Sequence, residues 1–253
     1  MTVKELYCKF DAAFPSALSA EWDNDGLMCT PDRDAAVCRA LLTLDVTEGA
    51  IDAAIARGCD LIISHHPLIF RPIGCLDGES ALSAKLALLI RRGISVFSFH
   101  TRADAAEGGV NDCLATLLGV KGATPIDGDG IARIGTLDTP TPLADFAQQV
   151  KERLRAPHLL VGDAHRPALR VALVGGAGKD SIAAALAAGA DTLVSGELGY
   201  HALTDAESYG INLVEAGHYF TEQQILTRFG ALLSELAPEL PYEIYDSNRI
   251  LSV

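Results

Sequence analysis

Short apolar runs alternate with helical patterns along this chain, and that alternation limits the fold more than any other feature. Residues 40–44, 61–63 and 94–99 predict buried strands, because they are short and rich in aliphatic or aromatic residues. Residues 47–57 and 80–92, which lie between these runs, have the apolar spacing of helices. Strands and helices in this order predict an α/β protein with parallel strands.

The same order of elements recurs in the second half of the chain. Residues 51–64 match residues 182–195 at a constant offset, including a glycine, an aspartate and a serine towards the end of each stretch. Residues 93–101 match residues 210–218 in the same way. We interpret the two matches as an internal duplication that produces two similar α/β domains.

The stretch between the two halves has a different composition. Residues 121–142 are rich in Gly, Pro, Asp and Thr, which predicts a linker or a crossing between domains. We therefore expect a first α/β domain at 1–125, completed by the C-terminal segment, and a second α/β domain at 126–253.

Charge and cysteine content argue against several classes of protein. The formal net charge is −13, so the basic surface of a nucleic-acid-binding protein is not expected. The six cysteines include no CxxC pair, and the N-terminus lacks the apolar stretch of a signal peptide. No uncharged apolar run approaches the ~18 residues of a membrane span. These features predict a cytoplasmic protein with no membrane and no nucleic-acid partner.

Histidines and carboxylates gather where the predicted strands end. His65-His66 follows one strand and His100 to Asp104 the next, while Glu197 and then His218 to Glu222 follow two strands of the second half. Parallel α/β units bind ligands beyond the carboxyl ends of their strands. The sequence therefore predicts a metal site between the two domains, at these strand ends, although His65-His66 alone is equally compatible with an exposed turn.

The residue types suggest what such a site would hold. Three histidines and two carboxylates exceed the three protein ligands of a typical single catalytic ion, but they suit two ions about 3.5–4 Å apart that activate a water molecule. Asp104 and Glu222 are the candidates for bridging the ions, and Glu222 shares a face with His218 if a helix begins there. Without cysteine, the set suits zinc, iron or manganese.

Further polar residues at the strand ends are candidates for supporting roles. Glu197, His100 and His201 are predicted to orient ligands, contact substrate or transfer protons. The alternative for each is a hydrogen-bonded polar residue without a catalytic role. His158 and His165 lie in a Pro-bearing stretch and are expected at the surface.

Two loops leave alternatives open. Residues 21–29 hold the only tryptophan, Trp22, which either anchors the loop or lines a pocket. Residues 175–181 are rich in glycine between a strand and a helix, so they either offer backbone N–H groups to a phosphate or form a plain βα turn.

Together these motifs resemble the NIF-three-like dinuclear-metal-centre family, whose members are labelled GTP cyclohydrolase 1 type 2 homologs. The matching motifs run in family order over nearly the whole chain: Trp22-Asp23-Asn24 with Gly26-Leu27, Ser64-His65-His66-Pro67, His100-Thr101 with Asp104, Gly108-Gly109-Val110-Asn111-Asp112, Ser195-Gly196-Glu197 with His201, and Gly217-His218 with Thr221-Glu222. The resemblance implies two metal ions, two similar α/β domains and a ring-shaped homohexamer. Its implied ligands are His65, His66, Asp104, His218 and Glu222.

Two positions depart from the family pattern. Arg102-Ala103 replaces the expected Asn-Leu, which would alter the pocket wall, and Tyr219 stands where a second histidine sometimes follows His218. Neither departure affects the five ligands.

The resulting hypothesis is a metal-dependent hydrolase that acts on a small molecule, with ring opening of a purine nucleotide such as GTP as the reaction that the family label suggests. A phosphoesterase that uses the same two ions is an alternative within the enzymes. A metal-binding scaffold or regulator without catalytic activity is the alternative outside them.

Overall fold

The chain forms two compact units, which the computed structural model describes over residues 1–126 and 128–250. Met1–Ala103 and Ile225–Arg249 make up the first unit, and Asp104–Gln224 with Ile250 make up the second. Each unit contains one β-sheet and several helices, which confirms the predicted α/β class. Domain limits, in the sense of separately folding parts, stay a prediction, as does the duplication.

The first unit is built on a five-stranded sheet. Its strands are β1 (Gly26–Cys29), β2 (Ala40–Thr43), β3 (Leu61–Ser64), β4 (Ser95–Ser98) and β11 (Tyr242–Ile244), in the spatial order β1-β4-β3-β2-β11. β1 alone is antiparallel to its neighbour. Its helices are α1 (Val3–Ala13), α2 (Glu48–Ala56), α3 (Ala81–Arg92) and α11 (Ile225–Leu236), and the short α4 (Thr101–Ala105) contains the boundary between the units.

Apolar side chains cover both faces of this sheet. Leu41 and Ile62 pack in a buried cluster with residues of α2 and α3. Phe99, just past β4, packs against Phe10 of α1 and Phe229 of α11, at ring-centroid distances of 5.5 and 6.2 Å. Because both faces are covered, the central parallel strands β2, β3 and β4 have apolar interiors, and their polar residues fall at the ends.

The second unit is built on a six-stranded sheet. Its strands are β5 (Lys121–Pro125), β6 (Arg133–Thr141), β7 (Leu160–Gly162), β8 (Ala168–Ala177), β9 (Thr192–Glu197) and β10 (Asn212–Glu215), in the spatial order β5-β6-β8-β9-β10-β7. β8, β9 and β10 are parallel. The helices are α5 (Val110–Leu118), α6 (Leu143–Leu154), α7 (Ile182–Ala187), α8 (Tyr200–Thr204), α9 (Ala206–Tyr209) and α10 (His218–Glu222).

Strand β8 shows how this sheet is packed on both sides. Val171 and Leu173 lie in a cluster with α5 and α6, whereas Ala172 and Val174 lie in a cluster with α7, α8 and α9. Successive side chains of a strand point to opposite faces, so one strand supplies both clusters.

Local sequence signals explain most of these elements. Thr47, at the start of the predicted helix 47–57, caps α2 by accepting a hydrogen bond from Ala50 N. The predicted linker at 121–142 is wrong, because most of it forms the antiparallel strands β5 and β6. Gly128, Asp129 and Gly130 lie between the two strands, while Ile134 is buried in the sheet. In the part of the chain that the structure describes, none of the helices could span a lipid bilayer.

Candidate metal centre

His65 and His66 lie where β3 ends, and their rings come together. Ser64 Oγ lies 2.8 Å from Ser98 Oγ and donates to His66 O at 2.9 Å, which holds the turn after the strand. The two ring centroids are 5.0 Å apart. The two adjacent side chains can therefore face the same site, because the chain leaves the sheet between Ser64 and Pro67.

Both histidines have an oxygen acceptor behind the ring. His65 Nδ1 lies 2.8 Å from Phe99 O, and His66 Nδ1 lies 2.7 Å from Asp45 Oδ1. An Nδ1–H that donates to oxygen fixes the tautomer and makes Nε2 the nitrogen for binding a metal ion. Asp45 in turn accepts from Ser247 Oγ at 3.2 Å.

His100 completes a group of three histidines in the first unit. Ligand nitrogens of His65, His66 and His100 all lie within 4.8 Å of one another. His100 Nδ1 lies 2.9 Å from Asp23 Oδ1, and Thr101 Oγ1 donates to Asp23 Oδ2 at 2.6 Å. Burial raises the pKa of Asp23, but the hydrogen bonds from His100 and Thr101 outweigh it and hold that pKa at about 2.

The second unit carries a matching arrangement at α10. The helix begins at His218, so His218 and Glu222 share a face, and His218 Nε2 lies 3.2 Å from Glu222 Oε2. His218 Nδ1 lies 2.9 Å from Glu197 Oε1 at the end of β9. Glu222 is buried, with 3% of its surface exposed. His218 thus repeats the pattern of His65 and His66, with an oxygen behind Nδ1.

Glycine at position 176 makes room for this pair. Gly176 has a φ of +64°, and a Cβ there would overlap Glu222 Oε1 and lie 3.1 Å from His218 Nε2. Its N–H donates to Thr221 Oγ1 at 3.0 Å. Only glycine allows β8 to approach the carboxylate so closely in this backbone conformation.

The neighbouring N–H groups decide between the two interpretations of the glycine-rich loop. Gly175 N donates to Asn111 Oδ1 at 2.7 Å, and Gly178 N donates to Glu197 O at 3.1 Å. With Gly176 N bonded to Thr221, three of the loop's donors are used inside the unit. These contacts favour a βα turn that supports α10 over a phosphate-binding loop.

The remaining predicted site residues differ in their burial. Asp104 is buried on the helix α4, and its backbone carbonyl accepts a hydrogen bond from Asn111 Nδ2 at 3.2 Å. His201 is exposed on α8, with its ring beside that of Tyr200. His158 and His165 are exposed, as expected.

Sequence reasoning missed the roles of Asp45 and Arg102. Asp45 follows β2, and a carboxylate at a strand end was the available signal. Arg102 was expected in the pocket wall, yet its guanidinium is buried, 2.7 Å from both Asp11 Oδ1 and Asp25 Oδ1. It donates as well to Phe14 O, so it ties α1 to the loop that carries Asp25.

Comparison with known proteins gives consistent matches over the whole chain. The family description Duf34/NIF3 (NGG1p interacting factor 3) matches residues 1–249. A "GTP cyclohydrolase 1 type 2 homolog" of Streptococcus pneumoniae is 34% identical over 244 residues, covering 93% of this chain and 91% of the relative. One of the same name from Clostridium perfringens is 32% identical, with 87% of each chain covered. A Staphylococcus aureus hypothetical protein of solved structure has a TM-score of 0.90 at 25% identity, covering 100% of this chain and 99% of its own.

Proposed function

The chain belongs to the Duf34/NIF3 family, and from that premise we propose that it is a metal-dependent hydrolase with a dinuclear centre. The proposed ligands come from both units: His65, His66, Asp104, His218 and Glu222. Each unit would then contribute at the carboxyl ends of its parallel strands, where α/β proteins bind their ligands.

One observation carries the proposal: the orientation of the three ligand histidines. In each of them Nδ1 faces an oxygen, namely Phe99 O, an oxygen of Asp45 or an oxygen of Glu197. Metal-binding histidines usually have such an acceptor, which fixes the ring and raises the basicity of Nε2. Imidazole and carboxylate donors without a thiolate suit zinc, iron or manganese.

The names of the relatives support a proposed substrate class. Curated relatives carry the name GTP cyclohydrolase 1 type 2 homolog, so a nucleotide such as GTP is the proposed substrate. Two divalent ions, when bound, polarise an electrophile and activate water. They would also supply local positive charge in a chain whose formal net charge is −13.

The surrounding side chains would orient ligands and move protons. Asp45 and Glu197 hold the rings of His66 and His218. His100, held by Asp23, is the proposed proton carrier, because its ring lies beside the ligand histidines without being one of the five ligands. His201 stays a proposed substrate-contacting residue.

Turnover of GTP by the metal-loaded protein tests the proposal. Formate release is expected, and His65→Ala should abolish it. His158→Ala, which removes an exposed histidine outside the set, is the matched control and should keep full activity. Phosphate release from phosphoesters without formate would replace the proposal by a phosphoesterase. Bound metal without turnover of either substrate, and unfolding on metal removal, would replace it by a scaffold.

A further inference from the structure

Two exposed aromatic rings stand beside the histidine group of the first unit. Trp22 is 62% exposed and Phe70 is 42% exposed, although both are large and apolar. Their ring centroids lie 6.1 Å apart, and the His100 ring lies 6.2 Å from Trp22 and 6.4 Å from Phe70. Aromatic rings that remain in solvent next to a polar cluster indicate a binding surface rather than core packing.

The loop that carries Trp22 is fixed in place. The Asp23 and Asp25 carboxylates, with side chains at most 1% exposed, turn inwards to Thr101, His100 and Arg102. Asp25 is therefore paired with the Arg102 guanidinium, and Asp23 accepts two hydrogen bonds from Thr101. The indole itself points to solvent from a rigid base, so a ligand that binds it pays little conformational entropy.

The loop that carries Phe70 is tied to the first one. Asn24, two residues after Trp22, donates from its side-chain amide to Ile69 O, the residue before Phe70. One hydrogen bond thus fixes the spacing of the two ring-bearing loops. Arg71, also exposed, places its guanidinium carbon 5.8 Å from the Phe70 ring centroid.

We propose that Trp22 and Phe70 form a stacking site for a flat heteroaromatic ring of an anionic ligand, with Arg71 contacting the negative charge. Exposed aromatic faces bind flat heterocycles whatever their substituents, since stacking depends on the π-face. The Arg71 guanidinium beside the Phe70 ring adds a positive charge whose planar donors suit a phosphate or carboxylate. This proposal rests on the proposed function and extends it, because the site would hold the base of a nucleotide beside His100. The His100 ring centroid lies 5.3 Å from that of His65 and 5.7 Å from that of His66.

Because Trp22 is the only tryptophan of the chain, its fluorescence reports on this site alone. Titration of the metal-loaded protein with guanosine monophosphate should quench the emission in a saturable manner. Guanosine, which lacks the charge, should bind more weakly, and ribose 5-phosphate, which lacks the ring, should leave the emission unchanged. An equal response to ribose 5-phosphate would overturn the proposal.

Variants of the second ring supply the sharper test. Phe70→Ala should weaken guanosine monophosphate binding by about 5- to 150-fold, which corresponds to the usual loss of one stacking partner. Phe70→Tyr should keep the affinity. Ile73→Ala, an exposed apolar residue of the same loop, is the matched control and should also keep it. Arg71→Gln should reduce the preference for guanosine monophosphate over guanosine.

The metal content separates this proposal from the hydrolase. Phe70→Ala should contain as much metal as the wild type. Saturable quenching by guanosine monophosphate in a protein that takes up no zinc, iron or manganese when these ions are offered would contradict the dinuclear centre and leave the stacking site intact. Normal metal content without quenching by guanosine monophosphate would contradict the stacking site alone. Trp22 emission that changes only with protein concentration would also contradict it, because it would indicate that a second copy of the chain covers these rings.

Discussion

Asp45 Oδ1 lies 2.7 Å from His66 Nδ1, and Asp45 is not among the five proposed metal ligands. Removing it would free the His66 ring to rotate and to change tautomer. Asp45→Ala should therefore lower metal affinity by about 10- to 100-fold, measured by competition with a chelator. Asp52→Ala, an exposed aspartate on α2, should leave the affinity unchanged. Equal affinities in both variants would show that Asp45 does not orient the ligand.

The close approach of Gly176 to Glu222 can be tested by adding a methyl group at position 176. Gly176→Ala should displace the Glu222 carboxylate and reduce the metal content to that of Glu222→Ala, because the new Cβ overlaps Oε1. Gly189→Ala is the control: its φ of +76° imposes a similar strain of about 1–2 kcal/mol, but the nearest atom lies 3.9 Å away. Elemental analysis should find normal metal in Gly189→Ala. Normal metal in Gly176→Ala would refute the close approach.

The Asp23 carboxylate should make the free energy of unfolding depend on pH in the acid range. Its folded-state pKa of about 2 lies below the unfolded value near 3.9, so its stabilisation is present above that value and is lost as the pH falls to about 2. At neutral pH this contribution is about 2 kcal/mol. The difference in unfolding free energy between the wild type and Asp23→Asn should shrink between pH 5 and pH 2 in urea titrations. A constant difference would contradict the assignment.

Sequence reasoning reached the histidines and carboxylates because they fall at strand ends, where local patterns are informative. It could not assign Asp45 to His66, because that contact depends on the register between β2 and β3. Gly176 was equally hidden, since its need for glycine arises from Glu222, far along the chain.

Among the elements, the loop between α1 and β1 depends on one buried arginine. Arg102 bonds Asp25, whose side chain is 1% exposed, and its guanidinium lies 5.5 Å from the Phe99 ring centroid. Arg102→Ala should destabilise the protein by about 3–5 kcal/mol, because it leaves a buried carboxylate without its cation. Urea unfolding measures this, and Arg92→Ala at the exposed end of α3 should cost far less. Similar losses in both variants would show that Arg102 carries no such role.

The elements themselves were predictable where the signal was local. Thr47 and Ser80 cap α2 and α3 at the predicted starts. The hairpin of β5 and β6 was not, since its Gly, Pro and Asp residues have the composition of a linker, and its partner strand β8 lies about 35 residues later. The short edge strands β7 and β11 depend on their neighbours in the same way.

At the scale of the whole molecule, the family and the α/β architecture are established, while the ring-shaped homohexamer stays a prediction. Light scattering should give six times the 26.7 kDa mass of one chain. The monomer mass would contradict the resemblance at this level and would leave the ligand set untouched.

The most direct test of the central claim is diffraction from metal-loaded crystals, recorded at the absorption edges of zinc, iron and manganese. The proposal predicts two anomalous peaks per chain, about 3.5–4 Å apart, in contact with His65, His66, Asp104, His218 and Glu222. A structure in which these five side chains lie apart, with no anomalous peak beside them, would contradict the proposed dinuclear centre.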